Sequence, residues 1–430
     1  MKTVNLPFAF FAQNRERLSH ALKPRSLAIL HANDSLTRTA DQDYPFRQNS
    51  DLFYLSGINQ EQTILLICPD HPDELSREII LVRRPNEKLE IWEGHKLTAS
   101  EVTSLSGIKT VRYTDEYDSV LASLMMYVHS VYLNLPELQK SIPELPDRNL
   151  RFANLLQQKF PAHHYERLAP IMRDLRTVKS ETEISLIREA VNITNHAFLK
   201  VLKTLRPGQM EYEVEAEIIS EFIRNGARGH AYPPIIGSGK NACYLHYNDN
   251  NSVCADGDLL LMDFGAEYGN YAADCTRTIP VNGKFSPRQR DLYQSVLDLF
   301  KFARSLMKPG NTINKVHAEV CKKFSREHVK LGLYSEEELN NESRDNPLYM
   351  KYYMHGTSHF LGLDVHDVGS KDAEFRPGMV LTCEPAIYIP GEATGIRIEN
   401  DILITRDGNV DLMKDIPVEI DEIERIMSQS

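Results

Sequence analysis

The sequence lacks a long apolar run. Its uninterrupted hydrophobic stretches, such as Leu259-Leu260-Leu261-Met262, are a few residues long, against the roughly 18–20 that a membrane-spanning helix requires. It has no C-x-x-C pair. The six cysteines, Cys68, Cys243, Cys254, Cys275, Cys321 and Cys383, are scattered, which excludes a cysteine-built zinc ribbon and argues for reduced thiols in a cytosol. Basic clusters are short, and 49 Lys and Arg against 60 Asp and Glu give a formal charge of −11, a poor match for a nucleic acid or other polyanion. The opening MKTVNLPFAFFAQNRERL has one lysine, a broken apolar patch and no small-residue cleavage site, so a secretory leader is not expected. These absences leave an acidic, cytoplasmic protein, with neither membrane nor nucleic acid as a partner, as the expectation.

What is present is a globular composition, 42% hydrophobic and 25% charged over 430 residues, a length suited to two domains. The first part alternates branched, strand-like runs (Ser26–His31, Thr63–Cys68, Ile79–Arg83, Val131–Leu135) with helix-like stretches near Phe8–Ala21, Glu116–Tyr127 and Arg148–Lys159. Arg176 to Lys179 reads as a connector, and the boundary is placed near residue 170, giving domains 1–170 and 171–430. Ser180 and Glu183 then stand at capping-box spacing. Ile184, Ile187, Val191, Thr194, Phe198, Val201 and Leu205 follow on one helical face. Pro207-Gly208 ends that helix, and a second one carries Val214, Ile218 and Phe222 before Gly226.

This unit recurs 102 residues later. Leu205-Arg206-Pro207-Gly208 matches Met307-Lys308-Pro309-Gly310, and Val214 and Ala216 match Val316 and Ala318. Each copy leads to an apolar strand ending in a carboxylate, Asp263 in one and Glu384 in the other. The C-terminal part therefore reads as an internal duplication about a pseudo-two-fold axis.

An acid on an apolar strand needs a partner. With a turn at Tyr268-Gly269, Asp263 would lie directly opposite Asp274 on one face. Two ionised carboxylates about 5 Å apart repel by about 3 kcal/mol at an effective dielectric of about 20, a repulsion that a bound cation converts to attraction. Glu384 and Glu399 stand opposite one another in the same way about the loop Pro390-Gly391-Glu392-Ala393. Cys275 and Cys383, each next to an acid, alternate to the other face and are not expected to bind metal. Taken singly, each acid reads as a salt-bridge or turn residue, His246, His355 and His359 as packed histidines, and Arg397 as a buried ion-pair partner. Jointly, four carboxylates on one axis call for more than one divalent ion. The stretch His355 to Gly369 supplies a histidine, and an oxygen-rich set with one imidazole favours manganese over a structural zinc. Two such ions generate a bridging hydroxide at neutral pH and polarise a carbonyl, which equips a site for hydrolysis.

At these residues the sequence resembles the metallopeptidases of the pita-bread fold, and most closely the Xaa-Pro aminopeptidase (aminopeptidase P) family. The motifs are LLLMDFGAEYGNYAADCTRT, HGTSHFLGLDVHDVG, PGMVLTCEPAIYI and GIRIEND, with DYPFRQNSDLFYLSG resembling the family's N-terminal domain. The resemblance implies an α/β N-terminal domain followed by a pseudo-two-fold pita-bread catalytic domain, a two-domain α+β or α/β chain. It implies Asp263, Asp274, His359, Glu384 and Glu399 as ligands of two divalent ions, with Mn2+ favoured and Zn2+ or Co2+ as alternatives. Asp274 and Glu399 would bridge, and Glu384 would also shuttle a proton for the attacking metal-bridging hydroxide. His246 and His366 match positions that contact substrate and stabilise the tetrahedral intermediate, and Arg397 and Tyr388 match residues that line and organise the site. His355 is read as supporting the ligands from behind. Thr357 and Ala386 depart from the family pattern, which has a larger apolar residue and a glycine there.

The implied activity is release of the N-terminal residue from peptides with proline in second position, by a chain that forms a dimer or tetramer. A prolidase, cutting Xaa-Pro dipeptides, is the alternative within the fold. A metal-free pita-bread binding protein is the alternative of another class, disfavoured because all five ligand positions hold ligating residues.

Overall fold

The computed structural model describes residues 4, 6–137, 145–343 and 345–429. They form two compact units, one running from residue 6 to Leu175 and the other comprising Val4 and the chain from Arg176 onward.

The first unit is built on a six-stranded mixed sheet in the spatial order Thr110–Tyr113, Glu78–Val82, Ile64–Ile67, Ser26–His31, Ser130–Leu133, His164–Arg167. Ser26–His31 is buried along its whole length, as a strand covered on both faces must be. Leu27, Ile29, Ile64, Leu66 and Val131 turn one face toward Leu121, Leu124 and Met125 of helix Tyr117–Tyr127 and toward Ala153 and Leu156 of helix Arg148–Lys159. The central strands and the helices Phe8–Ala21 and Arg148–Lys159 fall where the sequence predicts. Arg176 does not open a connector. It and Thr177 close a helix, Ala169–Thr177, in which Pro170 occupies the first turn, where a missing N–H costs nothing.

The second unit repeats itself. Helices Glu181–Thr204 and Glu211–Arg224 are followed by Pro287–Leu306 and Ile313–Lys330. Both the end of the first helix and the start of the second recur at the 102-residue offset. The Ser180 hydroxyl accepts from the Glu183 N–H, and Glu183 accepts from the Ser180 N–H at 2.8 Å, so the capping box forms. Three-stranded antiparallel sheets follow each helix pair: Ile235–Ser238, Leu259–Phe264 and Cys275–Pro280 in one half, Val380–Cys383, Asn400–Thr405 and Gly408–Asp411 in the other. An isolated bridge from Thr276 to Glu399 joins the halves.

The two acid-bearing hairpins differ in how they meet the expected register. In the second half Cys383 faces Asn400 and Ala386 faces Arg397, the register that sets Glu384 against Glu399. In the first half the turn is Gly269-Asn270, with Tyr268 facing Tyr271, so Asp263 pairs with Thr276 and not with Asp274. Gly269 and Asn270 have φ of 57° and 68°. A two-residue hairpin of this hand needs left-handed backbone at both central positions, which glycine and asparagine tolerate and Tyr268 would not. Asp274 instead lies in the break between Tyr271–Ala272 and Cys275–Pro280. There the chains pass so closely that a Cβ on Gly265 would stand 1.8 Å from the Ala273 carbonyl oxygen.

Candidate metal centre

Despite the changed register, Asp263 and Asp274 converge. The Tyr232 hydroxyl lies 2.6 Å from an oxygen of each. Glu399 arrives from the other half and accepts from the Thr276 hydroxyl at 2.7 Å. His359 places Nε2 at 3.3 Å from Asp274 Oδ2 and 3.8 Å from Glu384 Oε1. One ligand atom each from Asp274, His359 and Glu399 fits within a mutual 4.8 Å. All five residues expected as ligands are thus gathered at the seam between the halves.

The ring of His359 is oriented for ligation. Its Nδ1 lies 3.0 Å from the Phe360 carbonyl oxygen, so Nδ1 carries the proton and Nε2 faces the acids, the arrangement that fixes a metal-binding tautomer. Without a cation, burial opposes a charged ring, but the hydrogen bond to Asp274 and the charge of Glu384 overcome it and raise the pKa to about 9. The carboxyls show the complementary strain. Burial, then repulsion from Asp274, Glu384 and Asp263, pushes Glu399 well above the usual carboxylate range. Glu384 rises to about 7, with burial the largest cause and Asp274 and Asp263 adding to it against His359 and Arg397. Four carboxylates with one guanidinium and one imidazole carry surplus negative charge, and hard divalent cations fit that donor chemistry.

Arg397 is the buried counter-charge. Its Nη2 donates to Asp263 Oδ2, its Nε to the Thr276 hydroxyl at 2.9 Å and its Nη1 to the Tyr388 hydroxyl at 2.7 Å. The Tyr388 hydroxyl in turn lies 2.9 Å from His355 Nε2. The His355 Nδ1–H is committed to the Gly356 carbonyl oxygen at 2.8 Å, so Nε2 accepts from Tyr388. Burial, with Arg397 as the next cause, holds that ring neutral, lowering its pKa to about 3. His355 Nδ1 is 3.4 Å from Glu384 Oε2, behind the acid as expected.

His366 is exposed, with its ring 4.3 Å from that of His359. His246 is exposed on the turn after Gly239–Cys243, within electrostatic reach of His355. Cys383 is buried, with its thiol toward the Phe300 carbonyl oxygen at 3.9 Å, and burial raises the Cys275 thiol to about 12. Three residues at the centre escaped the sequence reading. Tyr232 links the two aspartates, Thr276 relays Arg397 to Glu399, and Asp401 accepts from the Asp274 N–H at 3.2 Å. Nothing in the spacing marks Tyr232. Its local signal is the following Pro233, which biases it to extended backbone.

Comparison with known proteins finds likenesses over nearly the whole chain. Residues 185–406 match the model of metallopeptidase family M24, and residues 11–132 match the aminopeptidase P N-terminal domain. The Xaa-Pro aminopeptidase of Escherichia coli is 37% identical over 97% of both chains. A zinc-substituted aminopeptidase P of E. coli, solved in complex with product, superposes with a TM-score of 0.90 at 34% identity over 99% of both chains. The proline aminopeptidase P II of Yersinia pestis gives 0.88 at 34% over 99% of this chain and 100% of the other. The expected fold holds: an α/β N-terminal domain and a duplicated pita-bread domain. The seam of acids, the paired halves and the match over residues 185–406 lead to one conclusion, that the chain belongs to metallopeptidase family M24.

Proposed function

We propose that the chain is a metal-dependent exopeptidase that hydrolyses the bond between the N-terminal residue and a following proline. The observation that carries this reading is the convergence of Asp263, Asp274, His359, Glu384 and Glu399 on one buried seam, braced by Arg397. The names of its relatives support the aminopeptidase over the prolidase alternative.

The five residues would hold two divalent ions, with Mn2+ favoured and Zn2+ or Co2+ the alternatives. When bound, such ions supply a nucleophile at neutral pH and polarise the scissile carbonyl. Glu384, whose Oε1 lies 3.8 Å from His359 Nε2 among the acids, would also take up and pass on the proton of the attacking group through its carboxylate. His246 and His366 contact the peptide and donate to the developing oxyanion. Arg397 and Tyr388 fix Asp263 and His355 in place. Peptides with proline in second position are the substrates, a homodimer or homotetramer the assembly and the cytoplasm the location. The location is supported by six unpaired cysteines and by the absence of any helix, among the described residues, long and apolar enough to cross a membrane.

The test is hydrolysis of Ala-Pro and Ala-Pro-Ala by metal-stripped protein reloaded with Mn2+. Cleavage of the tripeptide is expected, with Asp263→Ala and Glu384→Ala inactive but folded. Cleavage of the dipeptide alone would make the chain a prolidase, and activity retained in either variant would overturn the assigned roles.

A further inference from the structure

Apart from the donor set, a second ionic group holds the loop that carries His366. Asp367 follows His366, and its side chain is 1% exposed. Its Oδ1 accepts from Arg176 Nη2, and its Oδ2 from Lys179 Nζ at 3.0 Å. The same Arg176 Nη2 reaches Asp364 Oδ2 at 2.7 Å. One guanidinium therefore grips the loop on both sides of His366. The backbone closes around the same point, with the Asp367 N–H donating to the Phe360 carbonyl oxygen at 2.9 Å and the Gly362 N–H to that of Asp364 at 3.1 Å. A Cβ on Gly362 would stand 2.3 Å from Asp367 Oδ2, so glycine is what admits the carboxylate.

The gripping segment is itself fixed. The Lys179 N–H donates to the Gly378 carbonyl oxygen at 2.8 Å, and Val178 bridges Met379. Buried charge groups of this kind rarely add stability over apolar side chains of equal volume, so fixing one geometry is the better account of them. Within this frame, between Asp364 and Asp367, Val365 is half-buried and His366 is exposed.

We propose that Arg176 and Lys179 are positioning residues for His366, setting through Asp364 and Asp367 where its imidazole stands beside His359. The proposal rests on the reading that His366 contacts the substrate.

The experiment compares Asp364→Ala, whose carboxylate is 41% exposed, and Lys179→Met, each alone and combined with His366→Ala. The readouts are kcat and KM on Ala-Pro-Ala with Mn2+ and amide hydrogen exchange over 360–368. Each single variant is expected to lose roughly 10- to 100-fold in kcat with KM little changed, the scale of a small misplacement. Neither combination should be slower than His366→Ala alone, because residues acting through one group do not add. Exchange over 360–368 should quicken in Asp364→Ala. Full kcat in the single variants, losses that multiply with that of His366→Ala, or unchanged exchange would each overturn the proposal. Full activity of His366→Ala by itself would show instead that the underlying role of His366 is wrong, and the proposal would fall with it. Should Lys179→Met not fold, Asp364→Ala decides.

Discussion

Replacing Arg397 by methionine separates what the guanidinium does for the fold from what metal does. Arg397 is buried among Asp263, Thr276 and Tyr388, and its Nε lies 3.9 Å from Glu399 Oε2. In stripped protein its charge partner is Asp263, since burial and like charges hold Glu399 well above the usual carboxylate range when no cation is bound. Removing one member of a buried pair while leaving the other typically costs about 3–5 kcal/mol. In metal-stripped protein Arg397→Met should therefore lose about 3–5 kcal/mol, a fall of roughly 10 °C in the midpoint of the unit that carries it. Divalent ions at the acids would take over the neutralisation of Asp263 and Glu399, so the loss should shrink when Mn2+ is present. The assay is urea unfolding followed by far-UV circular dichroism, with and without Mn2+. A loss below about 1 kcal/mol in stripped protein, or equal losses in both conditions, would refute the reasoning. Arg397→Lys retains the charge but not the planar fork, and its single nitrogen cannot span the positions that Nε, Nη1 and Nη2 occupy. It should recover part of the stability and little of the turnover.

Tyr232→Phe removes the hydroxyl that lies 2.6 Å from both aspartates. Metal affinity should weaken about 10- to 100-fold in competition with a chelating dye, and unchanged affinity would refute a positioning role. Glu211 is fully buried and accepts from the Ser238 and Ser252 N–H groups, the Asn241 amide and the Tyr247 hydroxyl next to His246. Glu211→Leu should cost about 3 kcal/mol or more, since several donors lose a charged acceptor, as read by denaturant midpoint. His328 is buried beside Phe324, and burial lowers its pKa to about 3. Because the folded value lies below the unfolded one, near 6.5, its contribution is complete above about pH 6.5. It is lost at about 1.4 kcal/mol per pH unit as pH falls toward 3. His328→Leu should flatten that acid slope, and an identical slope between pH 6 and 4 would contradict it.

How much of this was legible depended on periodicity. The long helices of both halves announce themselves by apolar faces and caps, and the 102-residue offset survives into their observed ends. The second hairpin was legible because Pro390-Gly391 centres it unambiguously. The first was misread by placing Tyr268 at a left-handed position when Gly269-Asn270 suits both turn residues. Short elements carried too little pattern. Helices Ser50–Ser56 and Ala99–Ser106 span about two turns, and the edge strand His164–Arg167 is polar and half exposed. The four candidate acids could be picked out on apolar strands, whereas His359 was singled out from the histidines of 355–369 only by the family resemblance. Tyr232, Thr276 and Asp401 could not, because their placement depends on how two distant stretches cross.

The seam where Arg397 of one half grips Asp263 of the other bears on the history of the chain. Neither half possesses a complete donor set, so a single ancestral copy could have assembled one only by pairing with its twin. In such a twin every substitution would appear twice, and both sides of the site would have to remain alike. A single chain carrying both copies is free of that constraint. One side carries two aspartates and a bridging tyrosine, the other a histidine, two glutamates and an arginine, and a site so unlike on its two sides can treat the two ends of a peptide differently.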